Sequence, residues 1–161
     1  MELYILRHGI AEDGHPGLPD SERALTPDGK KKLRVVARMA AHADVKPSLI
    51  LTSPLKRALD TAQIAAEALG YKGDLLQTNA LAPTSHPKSV WDEIRLHRDQ
   101  SQILIVGHEP LSSRVTAFLL ACPHLEIDFK KGAIARVDLE EFGSEPKGVL
   151  KWLLTPKLAS R

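Results

Sequence analysis

One cysteine, no apolar run long enough to cross a bilayer and no large excess of either charge set the first limits on this chain of 161 residues. The lone Cys122 lies in the apolar run Phe118 to Cys122 and has no partner. That excludes an internal disulfide framework and makes a small buried hydrophobe the expected role of the residue. The stretch Leu3 to Leu6 is far shorter than the apolar region of a signal peptide and ends in Arg7-His8, and later apolar runs are too short for a membrane span. A cytoplasmic location and no membrane partner are therefore expected. Net charge is only +2, with dispersed basic residues and one clear run, Lys30-Lys31-Lys32, that reads as the solvated face of a helix, so no nucleic-acid partner is expected.

What is present is the composition of one soluble globular domain, 43% hydrophobic and 26% charged, expected to span residues 1–161. A chain of this size buries about two thirds of its unfolded surface, so it requires neither a structural metal nor a cofactor to fold. Seven histidines would make it markedly more basic in mild acid.

Strand and helix signals alternate. Glu2 to Leu6 reads as a strand ending at Arg7, and Ser48 to Thr52, Leu75-Leu76 and Ile103 to Val106 read as further strands. Thr26-Pro27 is an N-cap followed by proline at the first helical position, which opens a helix over 27–42 with Leu33, Val36, Ala37 and Ala40 on one face. Ser53-Pro54 repeats that signal ahead of Leu55, Leu59, Ala62, Ala66 and Leu69, and Gly70 closes the second helix. Helices are also expected over 87–97 and 111–121. Ala133 to Leu139 and Gly148 to Leu154 flank a turn-rich segment and form a hairpin. The sum is an α/β fold: a three-layer αβα sandwich whose mostly parallel central sheet carries an antiparallel edge hairpin at the C-terminus. In such sheets ligands bind beyond the carboxyl ends of the strands, where strand order reverses.

Three segments fall at those ends or just beyond them: Arg7-His8-Gly9, Ser53-Pro54-Leu55-Lys56-Arg57, and Gly107-His108-Glu109-Pro110. Two arginines and two histidines gathered at one crevice repel one another unless an anion lies between them, and a phosphoryl group suits the planar donor fork of arginine. Arg57 near a helix start adds backbone amides, and Gly9 would let the backbone approach the anion. Taken singly, each has a plainer explanation. His8 alone is a common kind of packed or surface histidine, His108 fills a turn at a helix start, and Arg57 pairs with Asp60 at i+3. Residues 9–25, with three glycines and two prolines, make a connection long enough to suggest a functional loop.

The segments Leu6-Arg7-His8-Gly9-Ile10-Ala11, Arg23-Ala24-Leu25-Thr26-Pro27-Asp28-Gly29, Thr52 to Ala62 and Val106-Gly107-His108-Glu109-Pro110 together resemble the histidine phosphatase superfamily, of phosphoglycerate mutase-like fold. Among its members the chain is most similar to the short SixA-type phosphohistidine phosphatases. The resemblance implies a metal-independent hydrolase without a cofactor, in which His8 is the phosphorylated nucleophile and Arg7, Arg57 and His108 form the phosphate pocket. Gly9, Asp20, Arg23 and Glu109 are further substrate-binding candidates. For Asp20 and Arg23 the alternative is salt bridging or cap support. A nucleophilic His8 must be neutral, with its other ring nitrogen held by an acceptor that the sequence does not identify.

One departure from the family bears on substrate. Larger relatives carry an acidic proton donor after the third strand, whereas here that region reads Gln77-Thr78-Asn79-Ala80-Leu81-Ala82-Pro83. An alcohol leaving group would lack its acid, while imidazole takes its proton near neutral pH. Glu109 and Asp20 are the candidate substitutes. The short chain also leaves little room for a lid. The expected partner is accordingly a phosphohistidine-containing protein of phosphotransfer or phosphocarrier type, and a monomer is the expected state. The alternatives are a phosphatase acting on a small phosphorylated molecule such as a nucleotide or sugar phosphate, and a non-catalytic phosphate-binding module. His15, His86, Lys130 and Lys131 are read as solvent-exposed, and a metal at His8 and His108 is disfavoured by the flanking arginines.

Overall fold

A computed structural model describes residues 1–161. In chain order the elements are β1 (Glu2–Arg7), α1 (Pro27–His42), β2 (Leu49–Thr52), α2 (Lys56–Leu69), β3 (Leu75–Gln77), α3 (Pro87–Leu96), β4 (Gln102–Gly107), α4 (Leu111–Leu119), β5 (Ile134–Leu139), β6 (Gly148–Leu154) and α5 (Pro156–Ala159), with short 3-10 turns at Asp20–Glu22 and Asn79–Leu81. The six strands form one sheet in the order β3-β2-β4-β1-β5-β6. β3, β2, β4 and β1 are parallel, and β5 runs against β1. β6 in turn runs against β5, so the terminal hairpin supplies a single reversed strand and the edge strand again points along β1.

The alternation of side chains in the central strands builds both cores. Leu3 and Ile5 of β1 join Ile103 and Ile105 of β4 under α3 and α4, where Trp91, Ile94 and Val115 pack. Tyr4 and Leu6 join Leu104, Val106 and Ile50 on the opposite face, under Leu33, Val36 and Ala40 of α1 and Ala58 and Ala62 of α2. Each fully buried aliphatic side chain of this kind stabilises the fold by roughly 1.5–3 kcal/mol. A one-residue slip of β1 would exchange the two cores and re-aim every residue at its end, so this packing fixes where His8 emerges.

The first helix begins as its cap predicts, with Thr26 Oγ1 accepting the Gly29 N–H at 3.0 Å and Pro27 at the first helical position. Gly29 is required there, because a Cβ would lie 2.3 Å from the Ile10 carbonyl oxygen. Two expectations fail. Helix α2 starts at Lys56, not at the cap-and-proline signal two residues earlier, and Ser53 lies ahead of it with its hydroxyl accepting the Leu55 N–H at 3.3 Å. Cys122 is exposed, not buried. Helix α4 ends at Leu119, and Ala121, at φ 52°, turns the chain into the left-handed region and carries Cys122 off the core.

Candidate active site

The carboxyl ends of β1, β4 and β2 lie side by side, and their backbone ladder continues past the strands. His8 N–H donates to the Gly107 carbonyl at 2.9 Å, and Ser53 N–H donates to the Val106 carbonyl at 3.0 Å. Three residues far apart in sequence, His8, Ser53 and His108, are thereby fixed at one rim of the sheet. The rings of His8 and His108 stand 5.0 Å apart between centroids, tilted by 56°. His8, Arg57 and His108 are all buried, at 7%, 6% and 2% exposure, which is unusual company for three groups capable of positive charge.

Hydrogen bonds orient the His8 ring. Its Nδ1 lies 2.7 Å from the Gly9 carbonyl oxygen, an acceptor, so Nδ1 carries the proton and Nε2 keeps its lone pair. Gly9 is held in turn by its N–H donating to Thr61 Oγ1 at 3.1 Å, while the Thr61 hydroxyl donates to the Arg57 carbonyl at 2.7 Å. Arg57 and Thr61 occupy one buried face of α2 at i,i+4 spacing, so a single helix turn ties the nucleophile candidate to a pocket arginine. On the other side His108 Nε2 is 2.8 Å from Ser53 Oγ.

Burial is the main force holding both histidines neutral. It pushes His8 down to about 4, with Arg57, Arg7 and Lys131 acting in the same direction and the Gly9 carbonyl against them. His108 is pushed down to about 3 by burial, by His8 and by the arginines. Arg7 sends Nη1 to the Phe129 carbonyl at 2.6 Å, and burial lowers its pKa as well, partly offset by the charges of Glu109 and Asp128. Arg7 Nε and His108 Nδ1 are the only two buried side-chain polar atoms without a partner, and both belong to this cluster. An unsatisfied buried donor costs about 1–3 kcal/mol, so an anion that accepts hydrogen bonds here would recover that cost.

The remaining candidates sort themselves by what they touch. Asp20 reaches in from the 9–25 connection, accepting from Arg57 Nη2 at 3.2 Å on its carboxylate and from Arg57 Nη1 at 2.9 Å on its carbonyl. Arg23 binds the same Asp20 carboxylate at 2.8 Å and the Glu12 carbonyl, which places it one residue further from the pocket. Arg57 therefore pairs with Asp20 and not with Asp60, whose carboxylate accepts the Leu25 N–H at 3.2 Å and lies 3.8 Å from Lys56. Glu109 accepts the Ser113 N–H at 2.7 Å and so supports the first turn of α4. The absent side chain of Gly9 makes room for Leu25 and for the Gly29 carbonyl, each 3.4 Å from where its Cβ would be. Ser53 and Thr61 were given no such part by the sequence. Their signal was a hydroxyl immediately after a buried strand and a threonine one turn beyond Arg57.

The segment after β3 lies beside Gly107, with the Leu81 carbonyl 3.6 Å from where a Gly107 Cβ would be, and it contains neither Asp nor Glu between Gln77 and Pro83. No group of three or more His, Cys, Asp or Glu side chains is placed to hold a metal ion, and no helix is long and apolar enough to cross a membrane.

Comparison with known proteins places this arrangement among its relatives. Residues 3–82 match the histidine phosphatase superfamily (branch 1). An uncharacterized protein of Picosynechococcus sp. is 36% identical over 111 residues, covering 68% of this chain and 67% of that protein. The phosphohistidine phosphatase SixA of Escherichia coli is 28% identical over 159 residues, covering 97% of this chain and 94% of its own. The solved structure of the protein histidine phosphatase SixA complexed with tungstate superposes with a TM-score of 0.87 at 28% identity and covers 98% of both chains.

Proposed function

The chain belongs to the histidine phosphatase superfamily and is a phosphatase, and on that premise we propose that it removes the phosphoryl group from phosphohistidine on a partner protein, through a transient phosphohistidine at its own His8. The observation that carries this reading is the bond from His8 Nδ1–H to the Gly9 carbonyl, which leaves Nε2 unprotonated in a pocket too buried to charge the ring at neutral pH.

Nε2 of His8 attacks phosphorus as the bond from phosphorus to the substrate imidazole breaks. A substrate ring protonated on its other nitrogen leaves as neutral imidazole, so no enzyme acid has to supply a proton. Phosphorylated His8 is then a cation whose Nδ1–H the Gly9 carbonyl still accepts. Water attacks the phosphoryl group, His8 leaves as the neutral ring it began as, and inorganic phosphate departs as dihydrogen phosphate with both protons of the water. Across both steps the charge on the equatorial oxygens is met by the half-buried Arg7 and the buried Arg57 and His108, whose fixed surroundings support this role. Tungstate, a tetrahedral oxyanion, is bound by the SixA relative and supports the same use of the pocket here.

The carboxylates present favour this substrate over an alkyl phosphate. Asp20 is held below the usual carboxylate range, first by its hydrogen bond to Arg23 and then by Arg57, so it is ionised at neutral pH and has no proton to donate. Glu109 is engaged at the start of α4. The test is turnover of a phosphohistidine-bearing protein beside a panel of nucleotide and sugar phosphates. The account expects kcat/KM to be highest for the phosphoprotein by tenfold or more, and a single metabolite cleaved more efficiently would replace it with small-molecule phosphatase activity.

A further inference from the structure

Beside the pocket lies a groove of about 990 Å³ bounded by α1, the segment Asp128–Lys131 and α5, with Arg7 in its wall. Six cations line it, Arg7, Lys31, Lys32, Lys130, Lys131 and Lys157, against two carboxylates, Asp28 and Asp128. The groove thus carries a net +4 while the whole chain carries +2, so the remainder of the molecule is negative by two charges. Lys32 is paired with Asp28 and Lys130 with Asp128, both at 2.7 Å, which leaves the exposed Lys31, Lys131 and Lys157 without an ion pair. The lysine runs that read as ordinary solvated surface in the sequence are therefore brought by the fold to one concavity, from opposite ends of the chain.

The concavity shares Arg7 with the candidate active site. Arg7 precedes His8 and lines the groove, and Lys131 is close enough to bear on the charge of the His8 ring. Only Ile10, Val35 and Pro156 are apolar here, and the mobile, hydrated heads of unpaired lysines suit a broad anionic surface better than a single buried ligand.

We propose that this groove is the docking surface for the substrate protein, engaging an acidic face next to the phosphohistidine and setting the approach of the phosphoryl group to His8. The proposal rests on the phosphoprotein reading above. Complementary charge of this kind raises the encounter rate and fixes orientation more than it adds affinity, so its signature is in kcat/KM and in salt dependence.

The experiment uses the double variant K31E/K157E, whose lysine side chains make no hydrogen bond or ion pair to His8, Arg7, Arg57 or His108, and the milder K31Q/K157Q. Two substrates are compared, a phosphocarrier protein with acidic residues around its phosphohistidine and free phosphohistidine. At low ionic strength kcat/KM for the phosphoprotein is expected to fall at least tenfold in the charge-reversed variant and about threefold in the neutral one, and the difference should shrink as salt is added. Turnover of free phosphohistidine should stay within twofold of the unaltered protein. Full turnover of the phosphoprotein by K31E/K157E overturns the docking surface while leaving the phosphatase reading intact. Equal loss on both substrates also overturns it, in favour of a field effect on the pocket, and failure of the unaltered protein to cleave the phosphoprotein overturns both readings.

Discussion

Asp20 engages both terminal nitrogens of Arg57: its carboxylate lies 3.2 Å from Nη2 and its carbonyl oxygen accepts from Nη1 at 2.9 Å. The two residues are 37 positions apart in sequence. One side of the pair is buried and the other solvated, since the Arg57 side chain is 8% exposed and that of Asp20 is 62% exposed. The carboxylate therefore stands where an incoming anion would compete for the same guanidinium, held loosely enough to be displaced. An exposed partner of this kind contributes about 1 kcal/mol or less. In Asp20→Asn, phosphate and tungstate should bind about threefold to tenfold more tightly, as measured by competitive inhibition, while kcat on a phosphohistidine protein stays within a few-fold. Weaker oxyanion binding in that variant would mean that Asp20 orients Arg57 instead of competing with its ligand.

The histidine pair gives a pH prediction with a definite sign. His8 falls to about 4 and His108 to about 3 in the folded protein, against 6.5 for an unperturbed histidine. Between pH 6.5 and about 4 the unfolded chain binds protons that the folded one refuses, so stability is present above 6.5 and is lost as pH falls through that window. For His8 alone the loss approaches roughly 3 kcal/mol at its limit. Urea midpoints recorded from pH 7 to pH 4.5 should decline, and the decline should flatten in His8→Gln/His108→Gln. Ring titration by NMR should find both histidines neutral at pH 5.5. A midpoint near 6.5 for either would contradict the burial argument.

Thr61 holds the Gly9 N–H while the Gly9 carbonyl holds His8 Nδ1, so Thr61 is a candidate positioning residue for the His8 ring. Thr61→Val keeps the shape and removes both hydrogen bonds, leaving the Gly9 N–H buried without a partner at a cost of about 1–3 kcal/mol. The expected kinetic signature is a fall of about tenfold in kcat with KM little changed, because the ring loosens while the arginines still bind phosphate. Thr61→Ser should recover most of that loss. A purely structural role would lower the melting temperature in Thr61→Val without this kcat-specific change and its rescue.

At Gly29 the expected effect is steric. A methyl group there would meet the Ile10 carbonyl at 2.3 Å, and both atoms belong to backbone segments that also hold Thr26 and the start of the long connection. Gly29→Ala should destabilise the protein by about 1–3 kcal/mol and reduce activity through displacement of the segment following His8. Thermal unfolding and kcat on one preparation would check both.

Much of this site was legible because strand ends are legible. The alternation of Glu2 to Leu6 set the direction in which His8 leaves β1, and the buried run Ile103 to Val106 did the same for His108. The spacing Arg57-x-x-x-Thr61 lay in plain view on a helix, but the meaning of Thr61 required Gly9, which is 52 positions away. Ser53 was misread for a local reason. Serine before proline is a strong capping signal, yet the chain bends at Pro54 and Leu55 before the helix begins at Lys56, and the hydroxyl lies against His108. Cys122 was misplaced because apolar composition carries no mark of where α4 stops, and the left-handed turn at Ala121 is not encoded by glycine. The Asp20 contact with Arg57 and the gathering of lysines from α1 and α5 are tertiary facts with no local signal at all.

The proposed mechanism requires that His8 itself carry the phosphoryl group. The unaltered protein is mixed with a protein bearing labelled phosphohistidine, quenched in alkali within the first turnover and mapped by peptide mass spectrometry. Acid-labile, alkali-stable label is expected on Nε2 of His8, absent in His8→Ala together with turnover. Label on His108, or undiminished turnover by His8→Ala, would contradict it.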